Sequence, residues 1–206
     1  MDFRFRPYLA NQKFVVVNGM KNDTDSFSET QTLEQARQFD LKALAAIYDR
    51  YNHGLYYYAL RLLGDSSLAE DCVAEVFRRF LHTLQKGGGP RENLKGYLYR
   101  SVHNWITDYY RQNPQPALAL DLDMPDPDDN PSEQAEIHMT TQHVRAALHT
   151  LTPDQQQVIA LRFLEGWDIA EVATRLHKPI GAIKALQHRA LAALQRLLLP
   201  DIKVEL

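Results

Sequence analysis

An all-helical protein of two domains joined by a flexible acidic linker is what these 206 residues predict, and three observations carry that expectation. Apolar residues recur at i, i+3, i+4 and i+7 through both halves of the chain, which is the spacing of one helix face. Strand signals are confined to Phe14–Val17, just ahead of Asn18-Gly19. Between the halves, residues 112–144 hold seven acids (Asp121, Asp123, Asp126, Asp128, Asp129, Glu133, Glu136), no Lys or Arg, and five of the ten prolines. Repeated Pro and Asp deny that stretch regular structure.

The elements follow in order. Apolar positions 44, 47, 48, 51, 55, 58, 59 and 62 make one helical face that ends at Gly64. Ser67 with Glu70 reads as a capping box for a second helix, whose inner stripe is Val73, Val76, Phe77, Phe80 and Leu84. Gly87, Gly88, Gly89 and Pro90 stop it. Asn93 can cap a third helix with the face Leu94, Tyr97, Leu98, Ser101, Val102, Trp105 and Tyr109, closed by Pro114. After the linker, Ser132 can start a helix through Ile137, Val144 and Leu148. Thr152, Pro153 and Gln155 supply a cap, an N1 proline and a capping-box partner for the next, which Gly166 stops. Asp168 and Glu171 then cap a short helix to about Leu176, and a longer one runs from about Ile180 to Leu199. The domains expected are 36–113 and 132–200, with a linker at 114–131 and an N-terminal extension of unknown role at 1–35.

Composition excludes several classes. Apolar residues at 45% and charged residues at 24% are ordinary for a globular chain. Runs such as Phe14–Val17 and Leu197–Leu199 are far shorter than the roughly 20 residues that cross a bilayer. Asn11, Gln12 and Lys13 interrupt what would be the apolar core of a signal peptide, so a cytoplasmic protein is expected. One cysteine, Cys72, allows no internal disulfide and no multi-cysteine metal site, and it reads as a small core residue. The eight histidines contain no HExxH motif and no i, i+4 pair, and the glycine run follows a helix without the Lys-Ser/Thr ending of a phosphate loop. No catalytic residue, metal, cofactor or small-molecule substrate is expected.

Nucleic acid is the better fit. Residues 169–188 carry the grammar of a helix-turn-helix: apolar Val172 and Leu176, small Ala173 at the crossing, a turn, then Ile183 and Leu186 inward. At about 100° per residue, Lys184, Ala185, His188, Arg189 and Arg196 fall opposite the apolar side of the last helix. From Ile169 to Arg196 there are five Lys or Arg and one acid, a balance suited to phosphate and base-edge contacts. Pattern alone also allows a solvated basic face on a structural hairpin. The third helix adds Arg100, His103, Asn104, Trp105, Tyr110 and Arg111, the amides, cations and rings that single-stranded DNA requires. Trp105 and Tyr109 lie on the apolar stripe and read as core, whereas Asn104 sits off it.

Both halves resemble one known family, the RNA polymerase sigma factors of the extracytoplasmic function (ECF) group. Leu151-Thr152-Pro153, Val158, Leu161-Arg162, Gly166 to Ala173 and Gly181 to Ala190 are similar to sigma region 4. Tyr48, Tyr51, Ala59, Arg61, Gly64-Asp65, Ala69 to Asp71, Glu75 to Phe77, Tyr97 to Arg100, Asn104, Asp108 and Arg111 are similar to sigma region 2. The resemblance implies that region 2 docks on core RNA polymerase and opens the −10 element while region 4 holds the −35 element of promoter DNA. Carried over by position, Glu70, Asp71, Glu75, Val76 and Arg78 would meet polymerase. Arg91, Asn93, Arg100, Asn104 and Arg111, with the loop Lys86–Asn93, would take the −10 strand and a flipped base. Lys178, Lys184, Ala185, His188 and Arg189 would read the −35 element. An anti-sigma factor is a further candidate partner. His177 in place of the usual turn glycine, Pro179 in place of a Ser cap, and the unusually flexible run Gly87–Gly89 depart from the pattern. An ordinary helix-turn-helix regulator with a sensor bundle is the alternative, and the match at the docking helix argues against it.

Overall fold

Caps and buried stripes set each helix boundary in the computed structural model, which describes residues 28–113 and 142–198. The Phe14–Val17 segment, the linker at 114–131 and the helix start at Ser132 lie outside the described residues. Helix α1 spans Glu29–Arg37 and is capped by Ser28, whose side chain accepts from the Gln31 N–H at 3.3 Å. Helix α2, Leu41–Leu63, is capped by Asp40 and ends in left-handed Gly64 at φ 76°. Helices α3 (Ser66–Gln85) and α4 (Leu94–Gln112) complete a four-helix unit. Leu55, Tyr58, Leu62, Phe80, Leu98 and Ile106 fill its centre with essentially no exposure.

Helical residues 142–149 (α5) open the second unit. Helix α6, Pro153–Ile159, runs into a π-helical turn at Ala160–Leu164, and α7 (Ile169–Leu176) and α8 (Ile180–Leu198) follow. The return half of the expected capping box is present, with the Thr152 N–H donating to Gln155 Oε1 at 3.0 Å. Asp168 caps α7 as expected, accepting from the Glu171 N–H at 2.7 Å. His177 adopts the left-handed conformation at φ 52° that glycine would take more easily, and its N–H bonds back into the last turn of α7. Among the described residues every regular element is helical.

Four expectations need correction. The first domain does not begin after residue 35: α1 starts at Glu29, and Leu33 and Ala36 lie in the core. Nine residues with two buried apolar positions are too short a run for periodicity to reveal. The cap of α3 is Asp65, which accepts from the Leu68 N–H at 2.9 Å, and Ser67 lies inside the helix. In α5 Val144 is exposed, and Ala147 and Leu148 make the buried contact. In α4 the buried set is Leu94, Gly96, Leu98, Tyr99, Val102, His103 and Ile106, and Tyr97, Trp105 and Tyr109 are only partly covered. That rotation arises because α4 is packed from two sides, by α2 and α3 on one and by α7 on the other.

The Asp65 cap gives a clean test, since losing an N-cap carboxylate costs about 1 kcal/mol. Asp65→Ala is expected to lower unfolding free energy by that amount in denaturant titrations. Ser67→Ala should change it by a few tenths, because alanine serves a helix interior better than serine.

Candidate nucleic-acid interface

The outer face of α8 is open. Lys184, Ala185, His188 and Arg189 are all exposed, while Ile183 and Ala190 are buried against the rest of the second unit. Arg189 bonds its own Ala185 carbonyl at 3.2 Å, a contact that DNA could displace. The five basic residues of this region divide in three ways. Lys184, Arg189 and Arg196 lie exposed on α8, Lys178 in the preceding turn pairs with Asp154 at 2.9 Å, and Arg175 faces the first unit. Arg162, in the π-helical turn, fixes α8 to its scaffold by donating to Gln187 Oε1 at 3.2 Å and to the Trp167 carbonyl.

The candidate −10 residues fall on the loop and along α4. Arg91 is exposed, and Asn93 caps α4 from a left-handed conformation at φ 54°, accepting from the Gly96 N–H at 3.2 Å. Positions 100, 104 and 111 lie within about 40° of one another around the helix. Asn104 and Arg111 are exposed, with Arg111 ion-paired to Asp108 at 3.0 Å. Trp105 and Tyr109 stack at 5.6 Å with planes 6° apart and remain half-buried. His103 is not part of a cationic track: it is 2% exposed and belongs to the core.

On α3, Glu70, Asp71 and Arg78 face solvent, and Glu75 is gripped by both Arg78 (2.6 Å) and Arg79 (2.6 Å). Those guanidiniums hold the Glu75 carboxyl down at about 2. Val76 departs from the candidate docking set: at 1% exposure its side chain is core and is closed to a partner. Beside this face lie the half-exposed rings and chains of Tyr48, which packs on Phe77 at 4.9 Å, and Leu81.

Motif matching missed how the two units hold each other. Arg61 of α2 donates to the Leu164 carbonyl at 2.8 Å and to Glu165 at 2.7 Å, and the Tyr99 hydroxyl donates to the other Glu165 oxygen at 3.0 Å. Burial raises the Glu165 pKa, against the pull of Tyr99 and Arg61. Lys95 lies 4.1 Å above the Trp167 ring and 2.8 Å from Glu171, and Tyr99 meets Trp167 edge-on at 4.8 Å. Asn93 donates to the Arg175 carbonyl at 3.0 Å, and Arg100 donates to the Leu176 carbonyl at 2.8 Å. These are the orphan carbonyls at the end of α7, which attract donors and cations. Gly96 lets them come so near, since a Cβ there would collide with the Arg175 carbonyl. Two of the candidate −10 residues are therefore engaged inside the molecule.

Two histidines complete the contact, His103 buried and His149 half-buried. The Pro153 carbonyl can only accept, so His103 Nε2–H donates to it at 2.9 Å, and Nδ1 accepts a hydrogen bond from the Tyr58 hydroxyl at 3.1 Å. By the same logic His149 Nε2–H donates to the Leu62 carbonyl at 3.3 Å, and Nδ1 accepts from Gln156 at 3.2 Å. Burial pushes the His103 pKa down to about 4 and lowers that of His149.

The described residues thus form a helical bundle ahead of a helix-turn-helix unit, the two joined by polar and aromatic contacts. Sigma-70 region 2 matches residues 47–114 and Sigma-70 region 4 matches residues 147–196. The relatives are more particular. The chain is 32% identical over 157 residues to the ECF RNA polymerase sigma factor SigX of Bacillus subtilis, covering 73% of this chain and 80% of that one. It is 28% identical over 184 residues to the ECF RNA polymerase sigma factor BldN of Streptomyces coelicolor, covering 88% and 70%. The chain belongs to the ECF RNA polymerase sigma factors. In fold it resembles CnrH, solved with the cytosolic domain of CnrY (TM-score 0.60, 22% identity, covering 84% of this chain and 99% of that one). It also resembles the Bartonella quintana sigma factor RpoE, solved with the anti-sigma factor NepR (TM-score 0.50, 23% identity, covering 78% and 99%).

The neutral histidines set a pH dependence. His103 has a folded pKa of about 4 against 6.5 for the ordinary group, so between those values the unfolded chain binds the extra proton and stability falls as pH falls. The full loss is about 3 kcal/mol across that window. Glu165, whose folded pKa is raised, acts in the opposite sense, so the comparison must be differential. In urea titrations from pH 6.5 to 4, wild type should lose more stability than His103→Gln; parallel profiles would remove His103 from the account.

Proposed function

We propose that this chain directs core RNA polymerase to promoters in the cytoplasm and opens them there, with the second unit holding the −35 element and the first capturing the −10 strand. One observation supports the reading most: a helix-turn-helix with an exposed basic face shares a chain with a helical bundle on which Glu70, Asp71 and Arg78 of α3 and Asn104 and Arg111 of α4 face solvent. Lys184 and Arg189 supply charged donors for base edges and phosphates, and His188 and Ala185 line the same face. Asn104, Arg91 and Arg111 provide amide and cationic contacts to an unpaired strand, and the half-buried Trp105 and Tyr109 pair offers aromatic surface beside them. Glu70, Asp71, Glu75 and Arg78 form the polymerase-facing surface. The chain is a regulatory subunit in this reading and performs no catalysis of its own.

The closed arrangement supports a resting form. Asn93 and Arg100 cannot touch DNA while they hold the end of α7, so opening must precede strand capture. Among the described residues nothing comparable restrains the exposed face of α8. RpoE of Bartonella quintana was solved with an anti-sigma factor, and a partner of that kind acting on this chain belongs to the same proposal.

Run-off transcription with purified core enzyme is the decisive experiment, because an ordinary regulator cannot start transcription with core enzyme alone. Lys184→Ala and Arg189→Ala are each expected to weaken −35 binding by about 1 to 3 kcal/mol where they read bases, with core binding retained. Asn104→Ala should lower open-complex formation on duplex promoters and recover in part on pre-melted templates, where unpairing has already been supplied. Equal loss on both templates would assign Asn104 to folding or docking instead.

A further inference from the structure

The loop that is read as the base-capture device, Lys86–Asn93, contains three consecutive glycines, the sequence with the least intrinsic preference for any one backbone path. Gly87 and Gly89 occupy the left-handed region at φ 73° and 89°, so the path is a particular one. Within the loop itself the backbone holds only its beginning: the Gly87 N–H donates to the Leu84 carbonyl at 2.9 Å and the Gly88 N–H to the Thr83 carbonyl at 3.0 Å.

The glycines and Pro90 are held from outside, by α1, while Asn93 at the end of the loop bonds to α7. Arg37, in the last turn of that helix, donates from Nη1 to the Gly88 carbonyl at 2.8 Å and the Pro90 carbonyl at 3.4 Å, and from Nη2 to the Gly87 carbonyl at 3.1 Å. Glu29, in its first turn, accepts the Leu94 N–H at 3.0 Å on one carboxylate oxygen and the Tyr51 hydroxyl at 2.7 Å on the other. Leu94 is the first residue of α4, directly after the loop. Eight helical steps separate Arg37 from Glu29, about 12 Å at 1.5 Å each. A single short helix thus grips both ends of the loop.

We propose that α1 is a splint for base capture, with Arg37 and Glu29 as positioning residues that hold the glycine loop in the shape that receives the flipped base. The inference rests on the base-capture reading above. It assigns a role in promoter opening to a helix that lies ahead of the stretch matched to Sigma-70 region 2, which begins at residue 47. The chemistry explains the choice of arginine. A guanidinium presents several donors in a fixed fork and can satisfy three carbonyls at once, whereas an ammonium is a single point of charge. The Arg37 contacts all lie within the first unit, so they survive separation of the units. Glu29 has one contact across the boundary, Arg175 at 3.7 Å, and keeps Leu94 and Tyr51 without it.

The test is selection of open complexes from a randomised duplex promoter library by holoenzyme assembled from core polymerase and this chain. Wild type, Arg37→Lys, Arg37→Ala, Glu29→Gln and Asn104→Ala are compared for core affinity, −35 preference and −10 preference. Both Arg37 variants should keep core affinity and −35 preference, flatten base preference at one −10 position, and lower open-complex yield by about tenfold, the scale expected when charge-assisted hydrogen bonds are lost. Glu29→Gln should flatten the same position more weakly. If Asn104→Ala flattens that position and the Arg37 variants do not, the splint is wrong and base capture stands. If Asn104→Ala also leaves the profile unchanged, base capture itself fails and takes the splint with it. Loss of core affinity and base preference together in the Arg37 variants would make α1 plain structural support and overturn the proposal.

Discussion

Helix α4 is buried from two sides, and the rest of the molecule is arranged around that constraint. Leu98, Val102 and Ile106 belong to the bundle with α2 and α3, while Tyr99 and His103 reach toward Glu165, Trp167 and Pro153 of the second unit. A helix so placed has few turns of surface left over, and those carry Asn104 and Arg111. The polar groups that α4 brings into this sandwich have partners suited to them: the Tyr99 hydroxyl a carboxylate, the neutral His103 imidazole a hydroxyl and a carbonyl. Unpaired, each would cost about 1 to 3 kcal/mol. The contact between the units is therefore specific as well as apolar, and its buried His103 stays neutral at ordinary pH.

Much of this was legible in the sequence, for identifiable reasons. Long periodic helices with strong terminators, α2 to Gly64 and α3 with its Val73, Val76, Phe77, Phe80 and Leu84 stripe, show where they end and which face is inside. The Thr152-Pro153 start and the Asp168 cap are equally local signals. What local patterning could not convey is anything set by a neighbour distant in the chain. The extra buried side of α4 depends on α7, and α1 becomes visible only through Leu33, Ala36 and its polar grips on residues 22 to 65 positions away. A capping choice between Asp65 and Ser67 turns on two residues of register, which the sequence leaves open.

The candidate site shows the same division. The α8 face needed only helical geometry to be placed, and Lys184, His188 and Arg189 lie where a helix wheel puts them. Val76 shows the opposite case, a position carried over by motif that packing places inside. Arg175 and Lys178 add to the basic count of the second unit but are spent on Asn93, Glu29 and Asp154, so counting charges overstates what this face offers to phosphate.

The placement of the two tryptophans gives the molecule an optical asymmetry. Trp105 is stacked on Tyr109 within α4 and keeps that neighbour whatever the second unit does. Trp167 sits at the boundary, 5% exposed, beneath the Lys95 ammonium and against the Tyr99 ring. Parting the units strips one indole of its ammonium, its ring partner and its shelter from water while leaving the other as it was. An opening of the units would thus be read in the emission of one native indole, with the second in the same chain as its internal reference.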